Sequence, residues 1–268
     1  MSTLEVAGVD WAGGEWLVVC FSEGAYDSCD VVSGFESLWE DYQGLDRILI
    51  DVPIGLPDQE TLAKREELDS LARSVTGFSS SVFPVPSREA ATLAAQDESY
   101  KVVAEQNEAD IGKGLTQQSY QLASAAGDVD AILQEQEEAR ETVIESHPEV
   151  CFRGLLGQQL QHKKASAPGL GERLQALKTR LENPGSVVEG ITEDLIGEAD
   201  SVSVDDVVDA LALAVVAQSD DELQYLPADW ENDSAEISMR MAYSTTEQVT
   251  PSRGGDRKST RLNSSHYR

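Results

Sequence analysis

Over the first fifty residues the apolar positions come in short bursts and then at helical spacing. Residues 4 to 10, 15 to 21 and 26 to 32 are apolar or alternating runs, separated by Gly13-Gly14 and by Ser22-Glu23-Gly24. Such runs bounded by turn formers predict three strands in a meander. In "GFESLWEDY" the residues Phe35, Leu38, Trp39 and Tyr42 fall on one helical face, and "RILID" (Arg47 to Asp51) follows as a buried strand. From Pro57 to about Glu141 the pattern is helical and polar: "ETLAKREELDSLARSV", "REAATLAAQDESYKVVAEQ" and "TQQSYQLASAAG", interrupted by the Pro- and Ser-rich "SSSVFPVPS". "TVIES" (Thr142 to Ser146) returns to strand and is ended by Pro148, which disfavours helix at His147. "ERLQALKTRL" predicts an amphipathic helix. "SVDDVVDALALAVVAQ" (Ser203 to Gln218) predicts the most apolar helix, packed on the sheet. Alternation of Ile237, Met239, Met241 and Tyr243 predicts a late edge strand or extended segment. The pattern reads as an α/β domain over residues 1–250, with a mixed five-stranded sheet flanked by helices and a helical insertion at about 58–141 between strands 4 and 5.

Charge adds a constraint on partners. The 268 residues hold 49 Asp and Glu against 20 Lys and Arg, a net charge of −29 spread along the whole chain. Such a surface repels nucleic acid in dilute salt. A dense acidic, lysine-poor surface also keeps proteins soluble in molar salt, where the screening length is about 3 Å and only local contacts matter. We read the chain as halophilic. Cys20, Cys29 and Cys151 form no Cys-x-x-Cys pair and have no nearby histidine cluster, so neither a disulfide framework nor a zinc site is expected. "MSTLEVAGVD" lacks the basic start and apolar run of a leader, and "ALALAVVA" falls far short of the roughly 20 residues a membrane span requires. The expectation is a cytoplasmic protein with no membrane partner. From Arg253 to Arg268 there are five basic residues against one acid, and "DRKSTRLNSSH" resembles a translated sequencing adapter. Residues 251–268 are expected to be a disordered tail, 256–268 an artefact, with the last genuine residue at or before Gly255.

Several separate elements deliver carboxylates. Asp10 ends the first strand, Asp51 ends the fourth, Glu145 lies in the fifth, and Asp206 and Asp209 open the last helix. Singly, each has a plainer explanation: Asp10 opening a hairpin, Asp51 starting the turn in "DVPIG", and Asp205 and Asp206 complementing the helix dipole behind an N-cap at Ser203. The last helix changes the balance. Asp206 and Asp209, at i and i+3, share a side one turn apart that borders apolar positions, and a cap alone has no need of Asp209. Convergence of Asp10, Asp51 and this pair in a cleft would be costly without cations. Mg²⁺ takes oxygen ligands, and two such ions about 4 Å apart activate water and stabilise a leaving oxygen. Phosphodiester hydrolysis is the reaction that set of groups suits.

The order of these features resembles the ribonuclease H-like superfamily, most closely its Holliday-junction-resolvase branch, whose last helix carries Asp-x-x-Asp-Ala-Leu. More narrowly, "GVDWA", "IDVPIGLP", "REELDSLAR", "SSSVFPVPSR", "ESHPEV", "HKKASAPGLGERLQAL", "DDVVDALALA" and "LPADWENDSAEISMRMAY" resemble domain-of-unknown-function family 429, described as predicted ribonuclease H-like nucleases. The resemblance implies a hydrolase acting on nucleic acid with Mg²⁺ or Mn²⁺. It implies Asp10, Asp51, Asp206 and Asp209 as metal ligands and Glu145 as a further acid at the same sheet end. Arg65, Asp69, Arg73, Arg88, Lys164 and Arg173 fall in the same motifs, where the basic groups would hold substrate phosphates; Arg65, Asp69 and Arg73 read equally as an i,i+4 salt-bridge ladder. His147 is a candidate general base, its plainer role being a local hydrogen bond beside Pro148. Trp11 reads first as a core tryptophan and second as a platform for a base.

Two other classes fit parts of the pattern. An ATP-dependent phosphotransferase of the actin and sugar-kinase superfamily also begins with an aspartate and a Gly-containing hairpin, but "DWAGG" lacks the Thr or Ser that would contact the nucleotide. A binding or scaffold module on the same fold would account for the absence of a visible basic stripe.

Overall fold

The structure is a computed structural model and describes residues 4–76, 82–196, 202–219 and 223–245. The meander forms as the alternation requires: β1 (Val6–Ala12), β2 (Glu15–Ser22) and β3 (Ala25–Val32) pair antiparallel. Gly13 and Gly14 both take positive φ (65° and 103°) in the first turn, a conformation that folds β2 straight back on β1. Beyond α1 (Phe35–Tyr42), β4 (Arg47–Ile50) lies parallel to β1, and β5 (Val143–Glu145) lies parallel to β4. The sheet order is β3-β2-β1-β4-β5. Because β1, β4 and β5 run the same way, their C-terminal ends deliver successive residues to one end of the sheet. The Asp51 N–H donates to the Val9 carbonyl at 3.0 Å, and the Ser146 N–H donates to the Ile50 carbonyl at 2.9 Å.

Five helices fill the insertion: α2 (Leu62–Thr76), α3 (Arg88–Ala95), α4 (Tyr100–Ile111), α5 (Gln117–Glu135) and α6 (Glu137–Thr142). The stretch read as one helix from Arg88 is two, broken where Asp97 adopts φ 61°, a left-handed conformation no helix interior accommodates. After β5 come α7 (Pro148–Leu156), α8 (Ala167–Leu177), α9 (Pro184–Asp194), α10 (Val204–Ala217) and a hairpin of β6 (Leu223–Asn232) and β7 (Ser238–Ser244). Sequence reasoning missed α7, α9 and β6. Pro148 ends a strand but also occupies the first turn of α7, where proline is well suited. α9 buries only Pro184 and Ile191, too little for a periodic signal. β6 is exposed over its second half, so its alternation fades. The late strand β7 pairs with β6 and reaches the main sheet through one bridge, Ser146 to Ala242. The tail from residue 251 lies outside the described residues.

Two apolar layers sandwich the sheet. On one face Val6, Leu17, Val19, Phe21 and Leu49 pack on α10, and on the other Ala7, Val9, Trp16, Val18, Ile48 and Ile50 pack with residues of α1 and α5. Every residue of α10 from Val207 to Ala217 is buried, as expected of a helix apolar on all sides. It lies against β1 at backbone distance. Gly8 makes this possible, since a Cβ there would overlap the Ala210 carbonyl and the Ala214 amide. No helix among the described residues is long and apolar enough to cross a membrane.

Candidate functional site

Alternation along β1 turns Asp10 to the α10 side, beside its register partner Leu17, and the close approach at Gly8 brings the first turns of α10 alongside. Asp51, the residue after β4, reaches the same place. Asp10, Asp51 and Asp209 thus come together from three distant parts of the chain and line one cavity of about 510 Å³ at the C-terminal end of the parallel strands. Open α/β sheets bind ligands at that end. Burial, then the charges of Asp51, Asp209 and Asp206, push the Asp10 carboxyl well above the usual range, with Lys164 acting the other way. Burial also raises Asp51, against the pull of His147 and Lys164. Asp209 is raised by burial to about 6, although the Lys164 ammonium 2.9 Å away opposes the shift. Lys164 itself, despite the cost of partial burial, is held above the usual lysine range by Asp209, Asp10 and Asp51.

The other predicted residues divide sharply. Asp206 closes a capping box: its carboxylate accepts from the Ser203 N–H at 2.8 Å while the Ser203 hydroxyl accepts from the Asp206 N–H. Its charge still reaches Asp10. Glu145 lines the cavity, but β5 alternation turns it to the face opposite α10, where Arg65 holds both its oxygens at 2.6 Å and the Ile54 N–H donates at 2.8 Å. Arg65 also binds Asp69 at 3.0 Å, and Arg73 lies 3.7 Å from Asp69, so the salt-bridge ladder forms. Arg88 pairs with Asp130 and Asp233 and does not line the cavity. Arg173 lines it but is spent on Glu149 and on the Gly169 carbonyl at 2.9 Å. His147 lines the cavity and N-caps α7, its Nδ1 accepting from the Glu149 N–H at 3.1 Å.

One residue passed over in the sequence joins the site, and so does one read there first as core. Glu149 is buried, lines the cavity and turns one oxygen to Arg173; its charge is felt at both Asp51 and Asp209. The signal for it was its place in "ESHPE", next to the chosen Glu145 and His147. Trp11 lines the cavity, and the core tryptophan is instead its register partner Trp16.

The donor set suits a hard divalent cation. Asp209 Oδ1 and Glu149 Oε2 are buried without a hydrogen-bond partner among the described residues. Buried acceptors in that state normally have an ion, water or donor on them. Among the described residues no group of three or more His, Cys, Asp or Glu side chains is placed closely enough to hold a metal ion as it stands.

Fold and site together define an α/β protein with a five-stranded mixed sheet that carries a buried carboxylate cluster at the ends of its parallel strands. The chain belongs to the family described as protein of unknown function (DUF429), which it matches over residues 8–232. No curated protein and no solved structure matches it.

Proposed function

We propose that the chain is a divalent-metal-dependent phosphodiesterase of the ribonuclease H-like kind, acting on nucleic acid with Mg²⁺ or Mn²⁺. The observation that carries this reading is the buried cluster of Asp10, Asp51 and Asp209, whose negative charge exceeds what Lys164 can neutralise. Asp10, Asp51 and Asp209 would hold the metal, with Glu149 and Asp206 close enough to add to its field. The bound cation would lower the pKa of water and steady a leaving oxygen. The protein's own groups do the rest. Lys164 offsets part of the carboxylate charge and offers a donor to a phosphate oxygen, while His147, oriented by its capping bond, stands where it can hold a proton. Glu145, with both oxygens engaged by Arg65, serves to fix the end of β5.

The test is a cleavage screen in high KCl with Mg²⁺ or Mn²⁺ over RNA/DNA hybrids, branched DNA and single strands. Asp10→Asn is expected to lower cleavage on the order of a hundredfold or more and to abolish a saturable metal-binding isotherm in calorimetry. Equal cleavage by wild type and variant would sink the assignment.

A further inference from the structure

We propose that the cavity takes one unpaired nucleotide unit, with its base against Trp11 and Phe83 and its phosphate toward Lys163 and Lys164. The proposal rests on the phosphodiesterase reading of the same site and narrows its substrate to nucleotides free of a duplex stack. The two walls of the cavity differ in chemistry because they come from opposite faces of the sheet. Asp10 and Leu17 face α10, whereas the next residue, Trp11, faces the insertion beside Trp16. Asp10, Asp209 and the Lys164 paired with it therefore lie on the α10 side, whereas Trp11, Val85 and Leu122 belong to the insertion side together with the neutralised Glu145–Arg65 pair.

Trp11 is braced from behind. Its ring lies 4.5 Å from that of Trp16, which is fully buried and packs edge-on to Phe35 at 5.4 Å. This tilted, edge-on packing holds the indole, which is left part-exposed in the cavity lining. Phe83, 39% exposed, is a second large apolar ring lining the same cavity. A volume of about 510 Å³ is that of a small-molecule pocket. A base paired inside a duplex keeps both faces in its stack, so there only an unstacked base can lie on Trp11.

Charge points the same way. Arg65 and Arg173 are buried and locked to Glu145 and Glu149, which leaves, among the described residues, Lys163 and Lys164 as the exposed cations lining the cavity, Lys164 with one bond to Asp209. Lys163 is exposed and has no ion-pair partner among the described residues. Two lysines suit one or two phosphates, and a chain of net charge −29 gives a long backbone no track to follow. Their loop is held in place: Ser166 Oγ donates to the Lys163 carbonyl at 2.8 Å, and Gly169 sits where any Cβ would overlap that carbonyl.

The full chain in high KCl with Mg²⁺ is titrated against adenosine monophosphate, a short single strand carrying one 2-aminopurine, the blunt duplex of that strand, and the same duplex with the 2-aminopurine unpaired. The strand and the duplex with the unpaired base are expected to bind and quench, and the blunt duplex to bind roughly tenfold or more weakly. Trp11→Leu and Phe83→Ala are each expected to weaken the strand about fivefold or more. Phe83→Ala removes an exposed ring and keeps the test valid should Trp11→Leu misfold. Binding of the monophosphate with the same Trp11 dependence shows that a free nucleotide suffices; binding of the strand alone shows that the unit must be part of a chain; both support the site. Equal affinity for strand and blunt duplex, or wild-type affinity in Phe83→Ala and in folded Trp11→Leu, overturns it. Trp11-dependent binding without cleavage of any strand would leave this site standing and remove the phosphodiesterase reading. Asp10-dependent cleavage indifferent to Trp11 and Phe83 would do the reverse.

Discussion

Glu145 and Asp209 are both buried carboxylates lining the same cavity, and they differ in what surrounds them. Glu145 has a guanidinium fork on both oxygens and a backbone N–H besides, and Arg65 extends the pairing to Asp69. Asp209 has one ammonium on one oxygen and nothing described on the other, and it shares the cavity with the like charges of Asp10 and Asp51. A buried charge matched by hydrogen bonds on every side is architecture, because removing either partner strands the other. A buried charge left unmatched costs stability and persists where something else is meant to meet it. The contrast assigns structure to the first group and chemistry to the second.

The largest way to break the contrast is Arg65→Met. It would leave Glu145 and Asp69 buried without a counter-charge, and urea unfolding is expected to show a loss of about 3–5 kcal/mol. A silent substitution would mean that the Arg65 cluster is no more structural than the aspartates. Asp10→Asn should act in the opposite direction. Removing one of the crowded charges at pH 7 in EDTA is expected to stabilise the fold by roughly 1–3 kcal/mol while metal binding is lost, readable as a rise in melting temperature. A fall would place Asp10 with Glu145.

The pH dependence sharpens this further. Burial raises the Asp209 carboxyl from its ordinary 3.8 to about 6, so between those values the folded chain keeps a proton that the unfolded chain has released. That group's contribution to stability is therefore greatest below about pH 4, falls as pH rises to about 6 and is level above. Urea midpoints in EDTA should follow that slope more steeply in wild type than in Asp209→Asn, and a saturating divalent cation should oppose the loss. The smallest effect expected is that of Asp206→Ala, about 1 kcal/mol from a lost capping box. Its cleavage should fall less than that of Asp209→Asn, since Asp206 reaches Asp10 only through its field.

Much was legible in the chain because it depends on neighbours a few residues apart. Period-two alternation marked β1 to β3, the apolar run of α10 marked a helix buried on all sides, and Ser203 with Asp206 three residues on announced a cap. The carboxylates late in β1 and just after β4 could be picked out because a charge in an apolar run is a local anomaly, although β1 does not end at Asp10, as the apolar run suggests, but runs on to Ala12. Pairing was not local. Arg65 and Glu145 are separated by 80 residues, and nothing near either says that the two share a buried contact. Nor did the chain say which of Trp11 and Trp16 belonged to the core: they stand directly opposite in the β1–β2 pair and face the same way, and only the position of the cavity separates them. Sequence by itself determined the strands of the main sheet, the buried last helix, their order and where acids fall in them. Tertiary structure decided which acids are neutralised and which are left open, because that depends on which distant side chains a fold brings within a few ångströms, where Coulomb energy and desolvation become large.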